Sequence, residues 1–179
     1  YDDTLSNTVL KKGEAYLELF KAYPKELQKF ITQDHNKNPG VSRFKKIPFY
    51  ISRSKYYSTY LLDEKSTLKK FSELCIKILI NQPLISEFEE IIKNEKLHLN
   101  HHILTNMPQK EIDKVLSYKK IKNRFQRIIG GAINKNDELK NLIKYIDKKS
   151  KVIYIGDSEG DLLAAKENNV NFILRSTPL

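Results

Sequence analysis

With one cysteine in 179 residues, Cys75 has no partner for an internal disulfide. A reducing compartment is therefore expected. No apolar stretch approaches the length of a membrane span, and the N-terminus lacks the basic-then-apolar pattern of a secretory signal. The expected location is cytoplasmic, with no membrane partner. Zinc-ligand spacing, an aromatic RNA-binding signature and a recognition-helix pattern are missing as well, so nucleic acid is not an expected partner. Internal repeats and low-complexity tails are also absent.

Charge is the one unbalanced quantity, at a formal +10. It suits an anionic partner such as a phosphate ester or an acidic sugar. The lysines are spread along the chain rather than blocked, which favours solvated helix faces. The length suffices for a substantial core, as one domain or one domain with an insertion.

The first half of the chain reads as helix. Val9, Leu10, Leu17, Leu19 and Phe20 fall near helical spacing, and Pro24 opens a second segment with Leu27, Phe30 and Ile31. Asn36 to Gly40 breaks the pattern as a loop. Leu68, Phe71, Leu74, Cys75, Ile78 and Leu79 form another apolar face, which makes Cys75 a core residue. Pro83 marks a boundary, and Phe88, Ile91 and Ile92 predict a short amphipathic helix. Tyr56, Tyr57 and Tyr60 read as packing aromatics, with the lining of a surface as the alternative.

Beyond this point short apolar runs alternate with helices. Strands are predicted at His102–Leu104, Arg127–Ile129, Val152–Ile155 and Asn171–Leu174. Helices are predicted at Gln109–Leu116, Asp137–Ile146 and Gly160–Asn168. Strands separated by helices of this length imply parallel pairing through crossover helices. The fold class is α/β, a parallel sheet with a helical insertion near its start. His98, His101 and His102 are close in sequence, but strand neighbours face opposite ways, so no three-histidine metal site is expected.

Ligands of open parallel sheets sit beyond the carboxyl ends of the strands. Gly156-Asp157-Ser158-Glu159-Gly160-Asp161 follows one strand, and Thr105 and Asn106 follow another. Lys135 precedes a helix, and Asp2, Asp3 and Thr4 stand at the start. Singly, each has a dull explanation as a turn, cap or surface residue. Jointly they supply a chemistry: a carboxylate attacks phosphorus to form an acyl-phosphate. A divalent cation neutralises the meeting anions, while a lysine and a hydroxyl hold the non-bridging oxygens.

This order of residues resembles the haloacid dehalogenase superfamily. Its first motif, Asp-x-Asp-x-Thr-Leu, is matched from its second position by Tyr1-Asp2-Asp3-Thr4-Leu5. The resemblance implies that Asp2 is the general acid/base, and that the nucleophilic aspartate falls just before Tyr1, with a sheet strand leading into it. The second motif is matched by Thr105 after Ile103-Leu104, the third by Lys135, with Lys140 and Lys144 as alternatives. Asp157 and Asp161 match the fourth. The implied cofactor is Mg²⁺, held by Asp2, Asp157 and Asp161. Catalysis falls to Asp2, Thr105 and Lys135, and Asn106 would help bind substrate.

The family also implies a Rossmann-like core, residues 1–9 and 83–179, and a helical cap, residues 10–82. Within that cap, Gly40-Val41-Ser42-Arg43-Phe44-Lys45-Lys46 resembles loops of phosphoglycolate-phosphatase-like members, which makes Arg43 and Lys46 candidate substrate contacts. Dehalogenases of the superfamily do not retain an acid at the Asp2 position, so a phosphatase acting on a small anionic phosphorylated metabolite is expected. The alternatives are a phosphomutase and a catalytically silent binding module with a basic cap.

Overall fold

In the computed structural model, residues 1–58, 62–132 and 134–176 are described. The chain divides into two compact units: Thr8–Asn81, and Tyr1–Asn7 together with Gln82–Leu179.

The first unit is helical, built from α1 (Val9–Leu19), α2 (Lys25–Lys37), α3 (Arg43–Ser54) and α4 (Glu64–Asn81). Its apolar stripes close on one another. Tyr16, Phe20, Leu27, Ile31, Ile47, Tyr50, Phe71, Cys75 and Leu79 are buried. Tyr16 lies 4.3 Å from Phe71 and meets Tyr50 edge-on at 5.4 Å between ring centroids, a geometry favoured by aromatic quadrupoles. Pro24 precedes α2, and the Ser42 side chain caps α3 by accepting from the Phe44 N–H at 3.3 Å, as its place before the helix predicts. Tyr56 and Tyr57 correct the packing expectation. Both follow the end of α3 and are exposed, Tyr56 by 82%. Tyr60 lies outside the described residues.

The second unit is α/β. It comprises α5 (Ser86–Lys93), β1 (His101–Thr105), α6 (Gln109–Tyr118), β2 (Phe125–Gly130), α7 (Lys135–Ile143), β3 (Ile153–Gly156), α8 (Glu159–Glu167) and β4 (Asn171–Leu174). Its first seven residues are tied to the segment after Gln82. Ile85 N–H donates to the Leu5 carbonyl at 2.9 Å, and the Ser6 hydroxyl donates to the Pro83 carbonyl at 2.7 Å. β1 pairs parallel with β2, Thr105 opposite Gly130, and β3 pairs parallel with β4, Gly156 opposite Leu174. α6 and α8 make the two crossovers, as parallel neighbours require. Among the described residues the strands form two separate parallel pairs. The ladder bonds of β1 go to β2 and those of β3 to β4. α7 packs against both β1 and α8. No described helix is long and apolar enough to cross a membrane.

Candidate active site

The carboxyl ends of β1 and β3 are where tight loops gather polar groups. After β1, the Thr105 hydroxyl oxygen accepts from the Met107 N–H at 3.2 Å, a turn that keeps this residue buried. The Thr105 carbonyl accepts from Ala132, and the Met107 carbonyl from Gly131, so the loops after β1 and β2 interlock. Gly130 allows this approach, since a β-carbon there would lie 2.6 Å from the Gln109 Cα. Asn106 is exposed beside Thr105.

α7 begins two residues earlier than expected because Asn134 caps it, its side-chain oxygen accepting from the Asp137 N–H at 3.3 Å. Lys135 is thereby the first helical residue, and its ammonium donates to Asp161 Oδ1 at 2.6 Å. Lys144, by contrast, donates to Asn141 at 3.2 Å. Lys140 is exposed.

After β3, Ser158 and Asp161 cap α8 reciprocally, a Ser-x-x-Asp pattern readable from sequence. Asp161 is only 3% exposed, yet both its oxygens are satisfied. Oδ1 accepts from Lys135 and from the Tyr154 hydroxyl, each at 2.6 Å. Oδ2 accepts from the Ser158 N–H at 3.2 Å and its hydroxyl at 2.5 Å. Burial alone would raise the Asp161 pKa, but the bonds from Lys135, Ser158 and Tyr154 outweigh it and hold the carboxyl below the ordinary range. Gly156 is required here: a β-carbon would fall 2.4 Å from that of Asp161.

Asp157 behaves oppositely. Burial raises its pKa, as do the charges of Asp161 and Asp3, against the Thr4 hydrogen bond. The Thr4 hydroxyl donates to Asp157 Oδ1 at 2.8 Å, and the Asp2 carbonyl oxygen lies 3.4 Å from that same hydroxyl. Thr4 therefore brings the Asp2 main chain and the Asp157 carboxylate to one point. Asp3 takes a φ of 49°, a left-handed turn that Asp tolerates and Gly favours. The Arg175 guanidinium donates to its carbonyl.

This donor set suits a hard dication. Asp157 is an anion disfavoured by burial and by neighbouring carboxylates, which a cation would relieve. Its partners are oxygens, and Mg²⁺ is commonly held by one or two carboxylates with water and substrate phosphate. Among the described residues no three His, Cys, Asp or Glu side chains form a metal cluster; a carboxylate-poor Mg²⁺ site does not need one.

Arg43 and Lys46 belong to the helical unit. The Arg43 guanidinium stacks on Phe71 at 4.8 Å and donates to Ser72 at 3.1 Å. Lys46 is 2% exposed, its ammonium 3.1 Å from His35 Nδ1. Sequence reasoning missed Tyr154, Ser158 and Arg175. The capping pattern could have found Ser158, whereas nothing local marks the other two.

The family model for haloacid dehalogenase-like hydrolases matches residues 1–175. No curated protein matches the chain in sequence. Among solved structures, a protein of Thermotoga maritima provisionally named a β-phosphoglucomutase aligns with a TM-score of 0.74 at 16% identity, covering 99% of this chain and 83% of that one. A point mutant of CbbY from Rhodobacter sphaeroides, in complex with xylulose-(1,5)bisphosphate, gives 0.71 at 14% identity, over 99% and 84%. YfnB from Bacillus subtilis, bound to magnesium, gives 0.70 at 18% identity, over 96% and 84%. At these identities the likeness is one of fold.

Proposed function

Because the chain belongs to the haloacid dehalogenase-like hydrolases, we propose that it is a Mg²⁺-dependent phosphatase of small, anionic phosphate monoesters. The observation that carries this reading is the divergence of two neighbouring carboxylates. Asp161 is held ionised by Lys135, Ser158 and Tyr154, while Asp157 has a raised pKa and, among the described residues, one side-chain hydrogen bond, from Thr4. The first carboxylate is an anchor, and the second suits a cation.

In this proposal the attacking carboxylate is that of the family's nucleophile position, one residue ahead of Tyr1. It bonds to phosphorus as the alkoxide leaves, giving an aspartyl-phosphate. The Asp2 carboxyl gives its proton to the leaving oxygen, then takes one from the water that attacks phosphorus, as the P–O bond to the aspartate breaks to restore its carboxylate and free inorganic phosphate. Thr105 donates its hydroxyl hydrogen to a phosphoryl oxygen, and the Lys135 ammonium donates to another. Asp157 and the Asp2 carbonyl would hold Mg²⁺, with Asp161 behind them, and the ion would neutralise the charge where phosphate and carboxylate meet. Asn106 is assigned to the substrate's remaining polar groups.

The full-length protein, assayed with Mg²⁺ on a panel of phosphate esters, is expected to release inorganic phosphate. Asp157→Asn is expected to abolish that release, and activity unchanged in this variant would sink the metal assignment. Isomerised sugar phosphate in place of inorganic phosphate would mark a mutase, and no turnover at all a binding module.

A further inference from the structure

The Asp161 carboxylate holds more donors than an anchor for one lysine needs. Oδ2 is pinned by the helix cap through the Ser158 N–H and hydroxyl. Oδ1 takes two bonds, from the Lys135 ammonium and from the Tyr154 hydroxyl, both 2.6 Å long. A carboxylate oxygen directs its two lone pairs to two sides of the C–O axis. With the tyrosine on one side, the lysine is left the other.

We propose that Tyr154 is a positioning residue for Lys135: by occupying one lone pair of Asp161 Oδ1, its hydroxyl decides where the ammonium stands. The inference rests on the phosphatase reading, because a lysine needs exact placement only if its remaining hydrogens have a target. An ammonium has three hydrogens, and among the described residues Asp161 is the one acceptor for Lys135. Two hydrogens therefore remain for phosphoryl oxygens, and their direction follows from the third.

The tyrosine is itself well placed to act as a fixed stop. It stands on β3, two residues before Gly156, and its ring meets Phe172 of β4 edge-on at 6.1 Å. Burial and the bond to Asp161 both raise its pKa, so it stays a phenol and a donor. The helix that presents the lysine is tied from the other side as well: the Asn168 amide of α8's C-cap donates to the Asn136 side-chain oxygen at 2.6 Å.

Tyr154→Phe keeps the ring and leaves Asp161 three donors, so no buried charge is orphaned. The variant frees the second lone pair and lets the ammonium move to it. In full-length protein with Mg²⁺, kcat is expected to fall about 10- to 100-fold with KM changed far less, the scale of a misplaced catalytic group. The decisive measurement is a double-mutant cycle with Lys135→Met. Once the lysine is gone, Tyr154→Phe should have no further effect. If Lys135→Met leaves too little activity to measure, the cycle is read from orthophosphate affinity by calorimetry, with Mg²⁺ present throughout. Wild-type kcat in Tyr154→Phe, or an equal loss in both backgrounds, overturns the proposal. Wild-type protein that binds orthophosphate but releases none from esters fails the phosphatase reading alone, and the affinity cycle then judges Tyr154. Wild-type protein that neither releases orthophosphate from esters nor binds it overturns both.

Discussion

Thr4 shows how one hydroxyl can organise two potential ligands. It donates to Asp157 Oδ1 at 2.8 Å and lies 3.4 Å from the Asp2 carbonyl, so it orients the carboxylate and leaves Oδ2 for another partner. Groups that orient metal ligands are worth about 10- to 100-fold in metal affinity. Thr4→Val keeps the shape and removes the donor. The Mg²⁺ concentration giving half-maximal phosphate release should rise by about that factor, with kcat at saturating Mg²⁺ much less affected. An unchanged Mg²⁺ dependence would show that Thr4 serves the turn alone. Asp3 illustrates the reverse case, a charged residue whose place follows from its backbone: its φ of 49° is a turn requirement.

At the scale of elements, α1, α2 and α3 enclose a pair that is sensitive to protons. His35 of α2 is buried, its Nε2 3.0 Å from the Val9 carbonyl and its Nδ1 3.1 Å from the Lys46 ammonium. The first contact makes Nε2 the protonated nitrogen, so Nδ1 accepts from the lysine. Burial, foremost, lowers the His35 pKa; Lys46 and Lys12 add to this, while the Val9 carbonyl and Asp34 oppose it. As pH falls below the ordinary imidazole value of 6.5, the unfolded chain takes the proton before the folded one does. Stability present above that value is therefore lost as pH falls toward the lowered folded value. Urea unfolding followed by helical circular dichroism should show lower stability at pH 5 than at pH 7.5. His35→Gln should flatten that difference; a slope unchanged in this variant would assign it to other groups.

For the whole chain, a ligand bound only by the folded form stabilises it by mass action. Mg²⁺ at about a hundred times its dissociation constant adds about 2.7 kcal/mol, roughly 5–10 °C in melting temperature at this chain length. That increment should appear for the wild type in differential scanning fluorimetry and vanish in Asp157→Asn. A rise of equal size in both would place the ion elsewhere. The net charge of +10 is a property of this scale too: it attracts small anions over a broad surface and is screened by salt.

The α/β class and its parallel pairing were legible in the residues, because apolar runs such as Ile103-Leu104 and Ile153–Ile155 alternate with amphipathic helices, and that period allows little else. Local chemistry was legible too: Ser158-x-x-Asp161 is a capping box wherever it stands, and the order of Thr105, Lys135 and Asp157 carries a resemblance that the match over residues 1–175 supports at the level of family. Contacts between distant residues were not legible. Tyr154 reads as one more apolar strand residue until α8 brings Asp161 to its hydroxyl. Lys135 could not be told from Lys140 by sequence, and what separates them is the cap at Asn134 and the packing of α7 on α8. The two paired charges of Asp157 and Asp161 are four residues apart and chemically identical in sequence. Their pKa values diverge because three donors from three elements converge on Asp161, whereas Asp157 meets Thr4 from the far end of the chain. Periodicity and motif spacing are local and therefore written in the chain; solvation and hydrogen-bond occupancy depend on what folding brings alongside.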